Sequence, residues 1–180
     1  MKKKEYPLSR VYRLLEGGPV VMVATSRSGR PNVMSMSWHT MIEFVPALIG
    51  CVVSDANYTF NTLKTTKQCV IAIPTVKLAK KVVQAGKTSG RDMNKFARIG
   101  LTPQPASSVK APLIAECFAN IECKVVDTTL VDKYNFFILE AVRAWIDPAQ
   151  KDAKTIHHHG HGVFIVDGRK IRIPFRSIEP

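Results

Sequence analysis

Between Val20 and Ser54 the chain runs through three β-rich stretches separated by turn signals, a spacing that outlines a three-stranded meander. Val20 to Ser26 comes first, "SRSGRP" turns the chain, Val33 to Met41 follows, and Ala47 to Ser54 completes the set. The middle stretch, with its "NVMSMSWHTM", has no cleanly polar face. Asn32, Met34, Met36 and Trp38 fall on one side at period two, and Val33, Ser35, Ser37 and His39 on the other. Such a strand is either half-buried with some awkward hydroxyls or a platform for something flat and partly polar.

The later chain extends the pattern. The spacing predicts a short helix from about Thr59, a strand from Gln68 to Ile73 stopped by Pro74, and an amphipathic helix over "VKLAKKVVQAGK". "SGRDMNKFARIG" reads as a turn with a small helical piece, and the prolines of "TPQPASSVKAP" enforce an irregular loop. Long antiparallel strands are expected from Leu113 to Asp127 and from Lys133 to Ile146. "DPAQKDAKTIHHHGHG" reads as a loop, and Val163 to Val166 is expected to pair with Lys170 to Pro174 around the Asp167-Gly168 turn. A short amphipathic helix is expected around residues 8 to 16. Helices inserted between mostly antiparallel strands argue for a closed or partly closed β-barrel rather than a doubly wound parallel sheet. With 180 residues, no internal repeat and no long linker, one domain over 1–180 is expected.

Charge and apolar run length narrow the function classes. Twenty-six Lys and Arg against 14 Asp and Glu leave a formal +12, which favours anionic partners without choosing among them. The basic segments "MKKK", "KLAKK" and "GRKIRIPFR" are scattered and lack a ribonucleoprotein or helix-turn-helix pattern, so they read as solvated faces or as a surface for an acidic redox protein, not for nucleic acid. The apolar runs "PVVMVAT" and "FVPALIGCVV" fall short of the roughly 20 residues that cross a bilayer. Charges at Glu5, Arg10, Arg13 and Glu16 interrupt any secretory signal, so a soluble cytoplasmic protein without a membrane partner is expected. Cys51, Cys69, Cys117 and Cys123 form no CxxC pair and read as buried reduced thiols.

"SDANYT" places small polar residues at the expected helix start. Unpaired N–H groups and partial positive charge there suit a phosphate, although a plain N-cap and turn explains the same residues. Together with the strand of mixed faces, this stretch suits a planar, amphipathic, phosphorylated ligand.

"GPVVMVAT", "GRPNVMSMSWHTM", "SDANYTFNTL" and "SGRDMNKFARIGLT", in this order and approximate spacing, resemble the flavin reductase-like family of FMN-binding split barrels, especially its flavoredoxin-like branch. The resemblance runs from about residue 10 to near Trp145. It implies a mainly β fold, a six-stranded antiparallel Greek-key split barrel with peripheral α-helices, and one FMN per subunit of a homodimer, close to the subunit interface. It also implies ring contacts from Asn32 and from the strand Met34, Ser35, Met36, Ser37 and Trp38. Ser54, Asn57, Tyr58 and Thr59 would hold the phosphate, and Lys95 would contact the cofactor, with Ser89 and Gly90 shaping the preceding loop. Tyr134 stands where many relatives carry His in a "DH" pair; this chain reads "DKY". Trp38 is either a ring contact or a core anchor.

The function expected from that resemblance is an FMN-dependent oxidoreductase passing electrons from NAD(P)H to free flavin or another acceptor. The alternative is a flavoredoxin-like electron carrier that oxidises no NAD(P)H. The cofactor performs the redox chemistry, so no side chain is assigned a catalytic acid or base role. His157, His158, His159 and His161 invite metal capture or a place near the partner subunit's flavin, but no carboxylate or cysteine sits at a ligand spacing and no metal site is assigned.

Overall fold

Ser28 and Gly29 set the first hairpin. In the computed structural model, which describes residues 18–169 and 171, both take positive φ, 50° and 75°, as a two-residue type I′ connection requires. They join β1 (Val21–Arg27) to β2 (Arg30–Met36), in register from Val21↔Met36 to Arg27↔Arg30. The strand expected to continue to Met41 breaks instead. His39 N–H donates to Ser37 O at 3.2 Å and the His39 ring bonds Pro19 O at 2.7 Å, a tight reversal that sends β3 (His39–Glu43) away to pair with β4 (Leu48–Val52).

The remaining long strands are β5 (Gln68–Ile73), β8 (Ala119–Asp127) and β9 (Phe136–Ile146). All pair antiparallel in the order β2-β1-β5-β8-β9-β4-β3. The outermost strands β2 and β3 are consecutive in the chain and linked only by Ser37 and Trp38. A sheet whose two edges are joined by two residues must curl until they approach, so the mainly β fold is a rolled antiparallel barrel with a seam. Its strand count is seven rather than six because of the break after Met36.

Alternation along each strand builds two cores. Val21, Val23, Ile71, Phe137 and Leu139 fill the barrel, joined by Phe60 and Leu63 from α1 (Tyr58–Thr66). Phe60 meets Phe137 edge-on at 5.4 Å. Burying each such side chain stabilises the fold by about 1.5–3 kcal/mol. Met22, Ala24, Val33 and Val70 face outward, where a 3₁₀ turn (Val76–Leu78), α2 (Ala79–Lys87) and α3 (Lys95–Ile99) cover them with Val82, Ala85 and Phe96. Cys51, Cys69 and Cys123 lie inside the barrel and Cys117 in the outer core, all as free thiols. Burial pushes the Cys51 and Cys117 thiols up to about 12.

The proline-rich loop is irregular apart from a two-residue pairing of β6 (Pro103–Gln104) with β7 (Leu113–Ile114). The strand expected from Lys133 begins at Phe136, because α4 (Val131–Tyr134) and the left-handed Asn135 precede it. A hairpin that the sequence did not suggest precedes the C-terminal segment. β11 (Phe164–Val166) pairs with β10 (Ile156–His158) around Gly160, His161 and Gly162, all at positive φ. Asp167, expected at the turn, instead bonds the Thr155 backbone and hydroxyl and the His157 ring. Three consecutive histidines hide the alternation of β10, whose anchor is the buried Ile156. The strand expected at Lys170 to Pro174 falls, except for Ile171, outside the described residues, as does the helix around 8 to 16. No helix among the described residues is long and apolar enough to cross a membrane.

Candidate functional site

As the outermost strand, β2 pairs with β1 along one edge only. Val33 O accepts from Lys95 Nζ at 2.9 Å, which marks the other edge. Backbone groups alternate sides along a strand, so Pro31 and Ser35 present theirs on that same edge; Pro31 has no N–H to leave unpaired there.

At the turn end of β2, Asn32 Nδ2 donates to Thr59 Oγ1 at 2.9 Å, with the two residues only 4% and 1% exposed. Asn32 Oδ1 is buried and receives no donor. Gly90 packs against this amide so closely that a Cβ there would sit 2.1 Å from Oδ1 and 3.0 Å from the Tyr58 ring. Only glycine fits this approach. Beside the cluster lies a cavity of about 220 Å³ walled by Arg30, Tyr58, Gly90 and Asn94.

At the seam end, Ser35, Met36 and Ser37 join Val82, Val83, Gly86 and Lys87 of α2 and His158 and Phe164 of the β10–β11 hairpin around a mainly apolar cavity of about 300 Å³. Ser35 Oγ donates to Val82 O at 2.5 Å, fixing strand to helix. Between the two cavities stands Lys95, 4% exposed, which also donates to Ala85 O at 2.7 Å. Asn94 positions it by capping α3, its Oδ1 accepting from Ala97 N at 3.2 Å. Among the described residues no carboxylate pairs with Lys95, and burial lowers its ammonium from 10.5 to about 8. The arrangement offers a polar recess, an uncompensated buried cation and an apolar recess along one strand.

The other expected site residues are dispersed. Met34 packs toward the barrel interior, as does Met36 while also walling the apolar cavity. Trp38 is 58% exposed at the seam and its carbonyl accepts from Val52 N at 3.0 Å, so it is not a core anchor. Thr59, expected to offer its hydroxyl to a phosphate, is turned inward onto Asn32. Ser54 is exposed, its Oγ accepting from Ala56 N at 3.3 Å; Asn57 caps α1 without a side-chain bond. Ser89 Oγ accepts from Arg91 N at 3.2 Å and shapes the loop carrying Gly90. Tyr134 is 56% exposed on α4, beneath Lys133 Nζ, and walls neither cavity.

Sequence reasoning missed Arg30, Asn94, Gly86, His158 and Phe164 as cavity walls. Gly86 carried a signal, since a glycine within an amphipathic helix costs about 1 kcal/mol relative to alanine and asks for a packing reason; its Cβ would lie 3.4 Å from Ser35 Oγ. His157 is engaged with Asp167 at 2.7 Å, and among the described residues no group of three or more candidate ligands stands where it would hold a metal.

A family model described as "Flavin reductase like domain" matches residues 14–165. An uncharacterized protein of Archaeoglobus fulgidus is 36% identical over 125 residues, 69% of this chain and 71% of that one. The crystal structure of an FMN-binding domain of a flavin reductases-like enzyme from Shewanella baltica is similar with a TM-score of 0.81, 26% identity and coverage of 94% of this chain and 96% of that chain. Flavoredoxin of Desulfovibrio vulgaris is similar with a TM-score of 0.84, 25% identity and coverage of 97% and 98%. The chain belongs to the flavin reductase-like domain family.

Proposed function

We propose that the protein binds FMN along β2 and works as an NAD(P)H-dependent flavin reductase, passing electrons to free flavin or another acceptor. The observation that carries this reading is the pair of unlike cavities flanking Lys95. FMN has a phosphate end and an apolar ring end, and the donor set fits both: Arg30, Tyr58 and Asn94 border the polar recess, and Met36, Val82 and Phe164 the apolar one. When bound, FMN supplies the hydride-accepting and electron-donating chemistry. Asn32, held by Thr59 and pressed by Gly90, keeps the β2 edge rigid, and Lys95 supplies positive charge where a ligand gaining electrons needs it. The hairpin residues His158 and Phe164 help exclude water from the apolar recess.

A second reading, an electron carrier without NAD(P)H oxidation, is favoured by the likeness to flavoredoxin and by the +12 charge, which suits an acidic redox protein. Anaerobic stopped-flow mixing separates the two. Bleaching of the bound flavin band by NADH or NADPH is expected; no bleaching by either leaves the carrier.

We also propose a homodimer with the cofactor near its interface. Trp38 in the β2–β3 link, Met41 and Ile42 on β3, and Phe44 and Val45 in the turn after it form a run of exposed large apolar side chains beside the seam, and a second copy would cover it. Light scattering is expected to show a dimer that Val45→Glu converts to monomer with weaker FMN binding; a wild-type monomer that holds FMN sinks this assembly. Four buried free thiols suit a reducing compartment, the cytoplasm.

A further inference from the structure

Away from the two recesses on β2, a cavity of about 410 Å³ opens at the start of the 3₁₀ turn that leads into α2, between Thr75–Lys77 and the segment 149–154. Lys77, Lys151 and Lys154 line it, and Asp152 is its one carboxylate-bearing wall residue. The two walls are tied together, because Val76 N donates to Lys154 O at 2.8 Å. The loop entering the cavity is ordered by Asp147, whose carboxylate accepts from Ala149 N at 3.0 Å and Gln150 Nε2 at 2.9 Å. The recess is therefore built in advance, a condition that lowers the entropic cost of binding. Its charge calls for an anion with several oxygens, since lysines bind phosphate as flexible point charges.

The same two segments reach the apolar recess. α2 continues to Val83 and Gly86, and residues 149–154 lead directly into the hairpin that carries His158 and Phe164. At roughly 1.5 Å per residue, Val83 lies about 6 Å along the axis from Ala79, where α2 begins just after Lys77. The two cavities thus share two chain segments, as a ligand with an apolar ring at one end and phosphates at the other would require.

We infer that the lysine-lined cavity binds the adenosine-side phosphates of a reduced nicotinamide dinucleotide whose nicotinamide end enters the apolar recess beside β2. The inference rests on the reductase reading for its ligand but can be tested without turnover. The FMN-loaded protein is titrated calorimetrically with 2′,5′-ADP, which carries the phosphates and no nicotinamide, and with inorganic phosphate as control. Salt-sensitive binding of 2′,5′-ADP is expected, stronger than that of phosphate, and the triple variant Lys77→Ala, Lys151→Ala, Lys154→Ala should weaken it about tenfold or more. FMN affinity should not change, because none of the three lysines borders the β2 recesses. KM for NADPH should rise about tenfold with kcat retained, the pattern of lost uniform binding.

The single substitution Lys151→Glu, on an exposed loop position, gives the same direction of change should the triple variant fold poorly. Absence of 2′,5′-ADP binding to the wild type, or equal binding to wild type and Lys151→Glu, overturns the inference whether or not the flavin is reduced. Lysine-dependent 2′,5′-ADP binding without any reduction by NADPH supports the anion site while removing the reductase reading.

Discussion

Two buried charges show how differently this barrel treats ions. Glu122, on β8, is fully buried, and its carboxylate accepts from Ser107 N at 3.0 Å, Ser108 N at 2.5 Å, Val109 N at 3.2 Å and Trp145 Nε1 at 2.8 Å. Lys95, against β2, is almost as buried, yet it has two carbonyl partners for three N–H donors. Burial pushes the Glu122 carboxyl up, but the bonds from Ser107, Trp145, Ser108 and Val109 outweigh it and hold the group below its ordinary value. Burial of Lys95 meets no such offset, and its ammonium falls to about 8. A saturated buried charge is a clasp for the proline-rich loop; the undersaturated one keeps an N–H donor free of a protein partner among the described residues, which the proposed function assigns to the ligand.

Glu122→Gln offers the larger test of that contrast. It replaces an acceptor-only carboxylate by an amide whose NH₂ must face backbone donors, and the expected cost is about 3 kcal/mol in chemical denaturation. FMN affinity of the folded fraction should stay unchanged. The Glu122 pKa is lower folded than unfolded, so its contribution is complete above the ordinary value of 4.5 and is lost as pH falls through the folded pKa. The acid-side loss of stability should accordingly be shallower in Glu122→Gln. A variant as stable as wild type would erase the distinction between clasp and free donor.

Lys95→Met should show a smaller stability effect and a larger ligand effect. The folded pKa lies near 8 and the unfolded value at 10.5, so the folded state disfavours the charged form below 8 and stability rises with pH between those limits. Denaturation midpoints measured from about pH 7.5 to 10.5 should climb in the wild type and lie flat in Lys95→Met. FMN binding, followed by flavin fluorescence, should weaken about tenfold. Unaltered FMN affinity would mean that Lys95 only joins strand to helix.

Much of the fold was legible in the chain because its determinants are local. Ser28-Gly29 announces a hairpin, Pro74 ends β5 and the lysines of "KLAKK" mark the outer face of α2. The break after Met36 was not legible, since it depends on His39 finding Pro19 and on β3 pairing with β4 rather than continuing beside β1. For the candidate site, the sequence singled out Asn32, Tyr58, Gly90 and Lys95, which the fold places at or near the polar recess and along β2. The turning of Thr59 onto Asn32 and the supply of an apolar recess by α2 and a histidine-rich hairpin depend on tertiary packing that no short segment announces.

The two-residue link between β2 and β3 has a consequence for the order of assembly. β1–β2 and β3–β4 are local hairpins that can form early, but the sheet connects them only through β5, β8 and β9. The seam beside Ser37 and Trp38 therefore exists only after residue 139 has found residue 49. During synthesis, an emerging chain that has not yet delivered β9 leaves β3–β4 unattached to the rest of the sheet and has no seam, so completion of the proposed ligand site has to wait for the C-terminal third of the chain.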